Sequence, residues 1–122
     1  MPGRRASFDT VRALGLALPD VEESTTYGSP ALKVRGKMFA CMAIHKSAEP
    51  RTLAVRVGFD QRDELIEAEP AIYYLKNHYV NYPVVLVRLD RIHPDALRDL
   101  LTAGWRFVSS TKKRPGRRPA RR

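Results

Sequence analysis

The chain has 122 residues and a formal net charge of +9, and 43% of it is hydrophobic, an ordinary share for a globular protein. That length predicts one domain, with a core able to stand without disulfides or metal. A single cysteine, Cys41, excludes an internal disulfide and a cysteine-cluster zinc site, and no apolar run reaches the roughly 18–20 residues that span a bilayer. The start, Met1-Pro2-Gly3-Arg4-Arg5, leads into an amphipathic segment and not the apolar stretch of a secretory signal, so a cytoplasmic protein is expected.

In chain order, a first helix is predicted over Phe8–Leu18, with Ser7 as N-cap and Phe8, Val11, Leu14 and Leu18 on one apolar face. Pro19 stops it. Val21–Tyr27 reads as a strand rich in β-branched residues. Ala31–Arg35 alternates, with Leu32 and Val34 on one face and Lys33 and Arg35 on the other. Gly36 then suits a sharp turn.

Lys37–Ile44 is apolar on both faces after its first residue, as in a central strand. A polar loop leads to a strand at Thr52–Val57. The second helix is expected to start at Asp60, as N-cap, and to end at Pro70. Residues 71–83 are rich in tyrosine, and Val84–Leu89 is a strand. Pro94 opens a third helix lined by Leu97, Leu100, Leu101, Trp105 and Val108, with Gly104 as a point where it bends or breaks.

Strands joined by short loops pair antiparallel, and helices with one apolar face cover one side of the sheet. The expected fold class is therefore α+β, a two-layer sandwich of about five antiparallel strands with helices on one face. Domain organisation follows the charge. Residues 112–122 carry seven positive charges; taking seven from nine leaves +2 for residues 1–111. The first 111 residues are expected to form the domain, and 112–122 a disordered basic tail, either a polyanion binder or a solubilising terminus with no specific role.

Three stretches taken together resemble one family. They are Leu18-Pro19-Asp20-Val21-Glu22-Glu23; Tyr27-Gly28-x-Pro30-x-x-Lys33-Val34-x-Gly36-Lys37-Met38-Phe39-Ala40; and His78-Tyr79 leading into Val84–Leu89, then Leu97–Leu101 and Trp105. The chain is similar over roughly residues 7–108 to the MmcQ/YjbR family of small bacterial proteins. Many relatives carry Phe in place of Leu32 and Trp in place of Tyr79, changes that keep the apolar or aromatic role. The resemblance implies a frataxin-like sandwich and a protein of the kind commonly described as DNA-binding.

The candidate nucleic-acid-binding residues are Lys33, Arg35, Arg56 and Arg88, expected on the uncovered sheet face, with Lys37 joining them at the turn, and Lys112, Lys113, Arg114, Arg117, Arg118, Arg121 and Arg122 of the tail; the plainer reading of the sheet cations is an ordinary solvated face. None of the clearly alternating outward positions is acidic. Tyr73, Tyr74, Tyr79 and Tyr82 offer a stacking platform or, more ordinarily, rim packing. Asp9, Asp20, Glu22 and Glu23 are the acidic candidates for a cation, and His45, His78 and His93 lack paired ligand spacing, so surface charge is the plainer reading and no metal or cofactor is expected. No nucleophile elbow, P-loop, dinucleotide fingerprint or zinc-protease helix motif is present, so no enzyme is expected. A protein-interaction or small-ligand module of the same fold is the alternative function. A monomer is the default oligomeric state.

Overall fold

A computed structural model describes residues 6–26, 28–43 and 48–111. Its elements follow the expected order with small changes of boundary. Helix α1 spans Phe8–Leu16, and Thr10 Oγ1 accepts a hydrogen bond from the Ser7 amide at 3.2 Å. Strands β1 (Val21–Thr26), β2 (Ser29–Val34), β3 (Lys37–Met42) and β4 (Thr52–Arg56) follow as a meander. Then come α2 (Phe59–Ala68), β5 (Tyr73–Tyr74), a 3-10 turn (Asn77–Tyr79), β6 (Val84–Arg88) and α3 (Pro94–Thr111). Among the described residues the sheet has six strands, all antiparallel, in the order β1-β2-β3-β4-β6-β5. The extra strand is β5, a two-residue edge piece too short to show periodicity in the sequence.

The β2–β3 hairpin turns on Arg35 and Gly36, both at positive φ (52° and 83°). A two-residue turn of that kind matches the twist of the flanking strands and normally selects Asn-Gly or Asp-Gly. Arg35 was expected at the end of β2 but sits in the turn, in a left-handed conformation that costs a side-chain-bearing residue energy. Further along the hairpin, the register shifts between Leu32 and Lys33, so that Leu32 faces Ala40 and Lys33 faces Met38. The extra residue is Phe39. This bulge puts Phe39 and Ala40 both in the main core, which explains why β3 reads as apolar on both faces.

The core lies between the sheet and the helices. Leu32, Val34, Phe39, Leu53, Val55, Val57, Val85, Val87 and Leu89 meet Val11, Leu97, Leu100, Leu101 and Val108. Each such side chain, fully buried, contributes on the order of 1.5–3 kcal/mol. Two glycines let the helices approach closely. A Cβ on Gly15 would stand 2.2 Å from Leu32 Cδ1, and one on Gly104 would stand 2.9 Å from Val55 Cγ1 and 3.0 Å from the Arg56 carbonyl oxygen. Gly104 does not break α3, which runs unbroken through it. The N-cap of α2 is Gly58, not Asp60, which lies in the first turn. Among the described residues no helix is long and apolar enough to cross a membrane.

Candidate nucleic-acid interface

The strand registers sort the five candidate cations of the domain by position. Val34 faces Val21 on β1, Arg56 faces Val84 on β6, and the start of β3 lies beside the end of β4. Lys33, Arg35, Lys37 and Arg56 therefore share one end of the sheet. Arg88 faces Thr52 at the opposite end of β4 and β6.

Helix α3 links the two ends. It starts after β6, beyond Arg88, and Gly104 lies over Arg56 and the Phe39 carbonyl. Trp105 Nε1 donates to the Pro19 carbonyl at 2.9 Å, and the Phe107 ring lies against Gly58. The helix continues from Gly104 to Thr111, roughly 10 Å more at 1.5 Å per residue. Its C-terminus, to which residues 112–122 are attached, thus lies at the Lys33–Arg56 end. Arg106, exposed in the same turns, adds a cation there that the sequence reading left out. The available signal was its place opposite the stripe of Leu97, Leu101, Trp105 and Val108.

Arg88 is committed elsewhere. Its Nε and Nη2 donate to Glu49 Oε1 and Oε2 at 2.9 and 2.8 Å, and its Nη1 donates to the carbonyls of Pro70 and Ala71. Its guanidinium lies 4.2 Å from the centre of the Tyr74 ring. The hydrogen bonds from Arg88 hold the Glu49 carboxyl below its ordinary range, and Glu49 in turn raises Arg88. Tyr74 itself shares a 2.6 Å hydrogen bond with Thr52 Oγ1 and accepts one from the Glu49 amide. The group is a structural network.

Alternation alone leads one to expect an uncovered sheet face away from the helices, but that face is not bare. Ala54, Tyr74, Val84 and Leu86 form a second small core there, against which Cys41, Ala43 and Tyr79 pack. Burial raises the Cys41 thiol above its ordinary value, which suits a packed residue and not a nucleophile. Of the four tyrosines weighed as a stacking platform, Tyr73 and Tyr74 are buried and Tyr79 is half-buried. Only Tyr82 is well exposed, at 57%.

Nor is the face free of acid. Glu22 stands directly across from Lys33, and Asp20 Oδ2 accepts from Arg35 Nη2 at 3.2 Å. Glu23 and Asp9 both meet Arg12, on the helix side. The four acidic residues weighed as cation ligands thus each stand beside a basic one, and among the described residues no three His, Cys, Asp or Glu converge. Arg56 differs from the others. Its Nε is buried without a hydrogen-bond partner among the described residues. The candidate tail residues, Lys112 to Arg122, lie outside the described residues.

With this geometry in place, comparison with known proteins defines the class. The family model YjbR matches residues 16–107, and the chain belongs to the YjbR family. It is 44% identical over 41 residues to the uncharacterized protein Rv2570 of Mycobacterium tuberculosis and, equally, to Mb2600 of Mycobacterium bovis. Those matches span 34% of this chain and about a third, 32%, of the relatives' length. The crystal structure of Deinococcus radiodurans protein DR2400, a DUF419 domain, is similar with a TM-score of 0.70. It is 23% identical, and the likeness covers 93% of this chain and 84% of that one, which establishes the shared fold.

Proposed function

We propose that this protein is a non-catalytic nucleic-acid binder of low sequence preference, acting in the cytoplasm. Its interface is the end of the fold that carries Lys33, Arg35, Lys37 and Arg56 on the sheet and Arg106 on α3, together with the tail. The observation that carries the reading is that these cations lie toward one end of the fold, the end at which α3 finishes and after which the basic sequence 112–122 begins. Two details support it. Arg35 occupies a turn position where Asn or Gly would cost less, so the cation is kept against local backbone preference. Arg56 stands half-buried at the same end, with its Nε shielded from solvent and without a partner among the described residues, a cost of about 1–3 kcal/mol borne to keep a cation there.

The opposing acids do not cancel the patch. The Arg35–Asp20 pair is half-exposed on both sides, and pairs of that kind are worth only about 0–1 kcal/mol, so a phosphate can replace the carboxylate. Backbone contacts fix a protein on nucleic acid without reading its sequence. Arg88 has no part in this interface. The test is a paired substitution measured by fluorescence anisotropy on labelled DNA. Lys33→Gln with Lys37→Gln should weaken binding and Arg88→Gln should not. Equal weakening by both variants would return the site to the whole sheet face, and no weakening by either would remove the domain from the interface.

A further inference from the structure

The charge of the domain is distributed unevenly. All 13 Asp and Glu fall among the described residues. Of the 22 Lys and Arg, ten fall at positions 4, 5 and 46 and within 112–122, leaving twelve described. Counted over residues 1–111, which include Arg4, Arg5 and Lys46, the domain is close to neutral, with 15 Lys and Arg against 13 Asp and Glu. Much of that acid is gathered on one element. Asp60, Asp63, Glu64, Glu67 and Glu69 are all exposed on α2 or at its C-cap.

Helix α2 is badly compensated for this load. Asp60 and Glu64, and Asp63 and Glu67, are like-charge pairs four residues apart, which oppose a helix. Glu67 and Glu69 sit at the negative end of its dipole, where cations belong, and its last turn has no base. Its one basic residue, Arg62, is buried and donates to the carbonyls of Val80 and Tyr82 as well as to Asp63. Beside this acidic stripe runs a shallow groove of about 530 Å³ between α2 and β5, with Ile66, Pro70, Tyr73 and Leu75 beside Asp63 and Glu67. Tyr74 completes the floor, with Arg88 and Lys76 over its ring on the β5 side; the apolar floor and the acidic rim on the α2 side suit a cationic segment with proline kinks and aliphatic stems.

We infer that this groove is the docking surface of the chain's own basic tail, residues 112–122, which leaves it when a polyanion binds. Length and position allow the contact within one molecule. Phe107 lies against Gly58, the N-cap of α2, and Thr111 is one turn further along α3. Eleven residues reach roughly 36 Å when extended, against a helix of about 15 Å. The segment Lys-Lys-Arg-Pro-Gly-Arg-Arg-Pro-Ala-Arg-Arg brings seven cations to five carboxylates. The groove would compete with a polyanion for the tail, so the affinity for the polyanion scales with the undocked fraction. Only this consequence rests on the nucleic-acid reading; the contact itself does not.

The test uses the full chain without nucleic acid. A nitroxide is attached to Ala120→Cys before the half-buried Cys41 reacts, and paramagnetic broadening of backbone amides is measured. Broadening concentrated on residues 63–75 is the expected result. It should be lost in Asp63→Asn/Glu67→Gln, and also at about 0.5 M salt, where the Debye length falls to a few ångströms. Broadening spread evenly over the surface, centred on Lys33 and Arg56, or unchanged by the double substitution would overturn the inference. A DNA titration of the unlabelled variant separates the two proposals. Tighter binding than wild type, with Asp95→Asn/Asp99→Asn as the equal-charge control showing less, is the expected outcome. Equal gains in both variants would overturn the competition, and no DNA binding by any variant would overturn the functional reading while leaving the broadening result to stand alone.

Discussion

Replacing Gly104 with alanine sets two known energies against each other. In an exposed helix the change stabilises by about 0.8–1.0 kcal/mol. Here the new Cβ would stand 2.9 Å from Val55 Cγ1, 3.0 Å from the Arg56 carbonyl oxygen and 3.5 Å from the Phe39 carbonyl oxygen. The contact to the Phe39 oxygen is ordinary, but the Val55 methyl and the Arg56 backbone oxygen of central β4 are both too close, so α3 or Val55 must shift. Overpacking of this kind costs about 1–3 kcal/mol. The expected net result is a loss of about 1 kcal/mol. At a urea dependence of roughly 1 kcal/mol per molar for a domain of this size, the midpoint should fall by about 1 M. Ala103→Gly, one residue away and half-exposed, should cost a similar amount through propensity alone, and thus calibrates the helix term. A Gly104→Ala protein more stable than wild type would refute the argument that α3 is seated against β3 and β4 at this point.

Other substitutions probe the remaining supports. Arg62→Met should destabilise by about 1.5–3 kcal/mol, because the carbonyls of Val80 and Tyr82 lose a charged donor; thermal unfolding checks this. Arg35→Asn should raise the melting temperature, since Asn tolerates the left-handed turn, while lowering affinity for DNA in the same preparation. Glu49 has a folded-state pKa depressed by Arg88, so its stabilising effect is complete above its ordinary value near 4.5 and is lost as pH falls through the folded value. Glu49→Gln should therefore give a shallower loss of stability below about pH 4.5 than wild type, read from acid titrations followed by circular dichroism. Cys41 should react slowly with a thiol reagent in the native protein and fast in denaturant.

Most of the fold was legible because local rules and the tertiary answer agree. Alternation in Leu32–Lys33–Val34, the glycine at 36 and the proline at 94 each act over a few residues, and the structure honours them. What could not be read depends on distant partners. The commitment of Arg88 to Glu49 joins residues 39 positions apart, and nothing near either residue signals it. Glu22 was read as one of a cluster of acids, but the register of β1 on β2 puts it across from Lys33. The second small core under Tyr79 forms because β6 is apolar at Val84 and Leu86 as well as at Val85 and Val87, a doubling the sequence displayed but alternation did not weigh. Gly104 read as a helix weakener because propensity is a property of the helix alone, whereas its use is the distance to the sheet.

The candidate site was half legible. Residue type and sign picked out Lys33, Arg35, Lys37 and Arg56, and the registers place them at one end. Arg106 joins them only once the direction of α3 is known, and Arg88 leaves them only once its partners are seen.

The central claim is that the Lys33–Arg56 end binds phosphates, and the salt dependence of binding tests it most directly. Anisotropy titrations of labelled duplex and single-stranded DNA across several salt concentrations would compare the full chain with Lys33→Gln/Arg35→Gln/Lys37→Gln. Each phosphate contact contributes about −0.9 to the slope of log affinity against log salt on duplex DNA, so the triple variant should flatten that slope by about 2.7. An unchanged slope, or no binding by the full chain near physiological salt, would contradict the account.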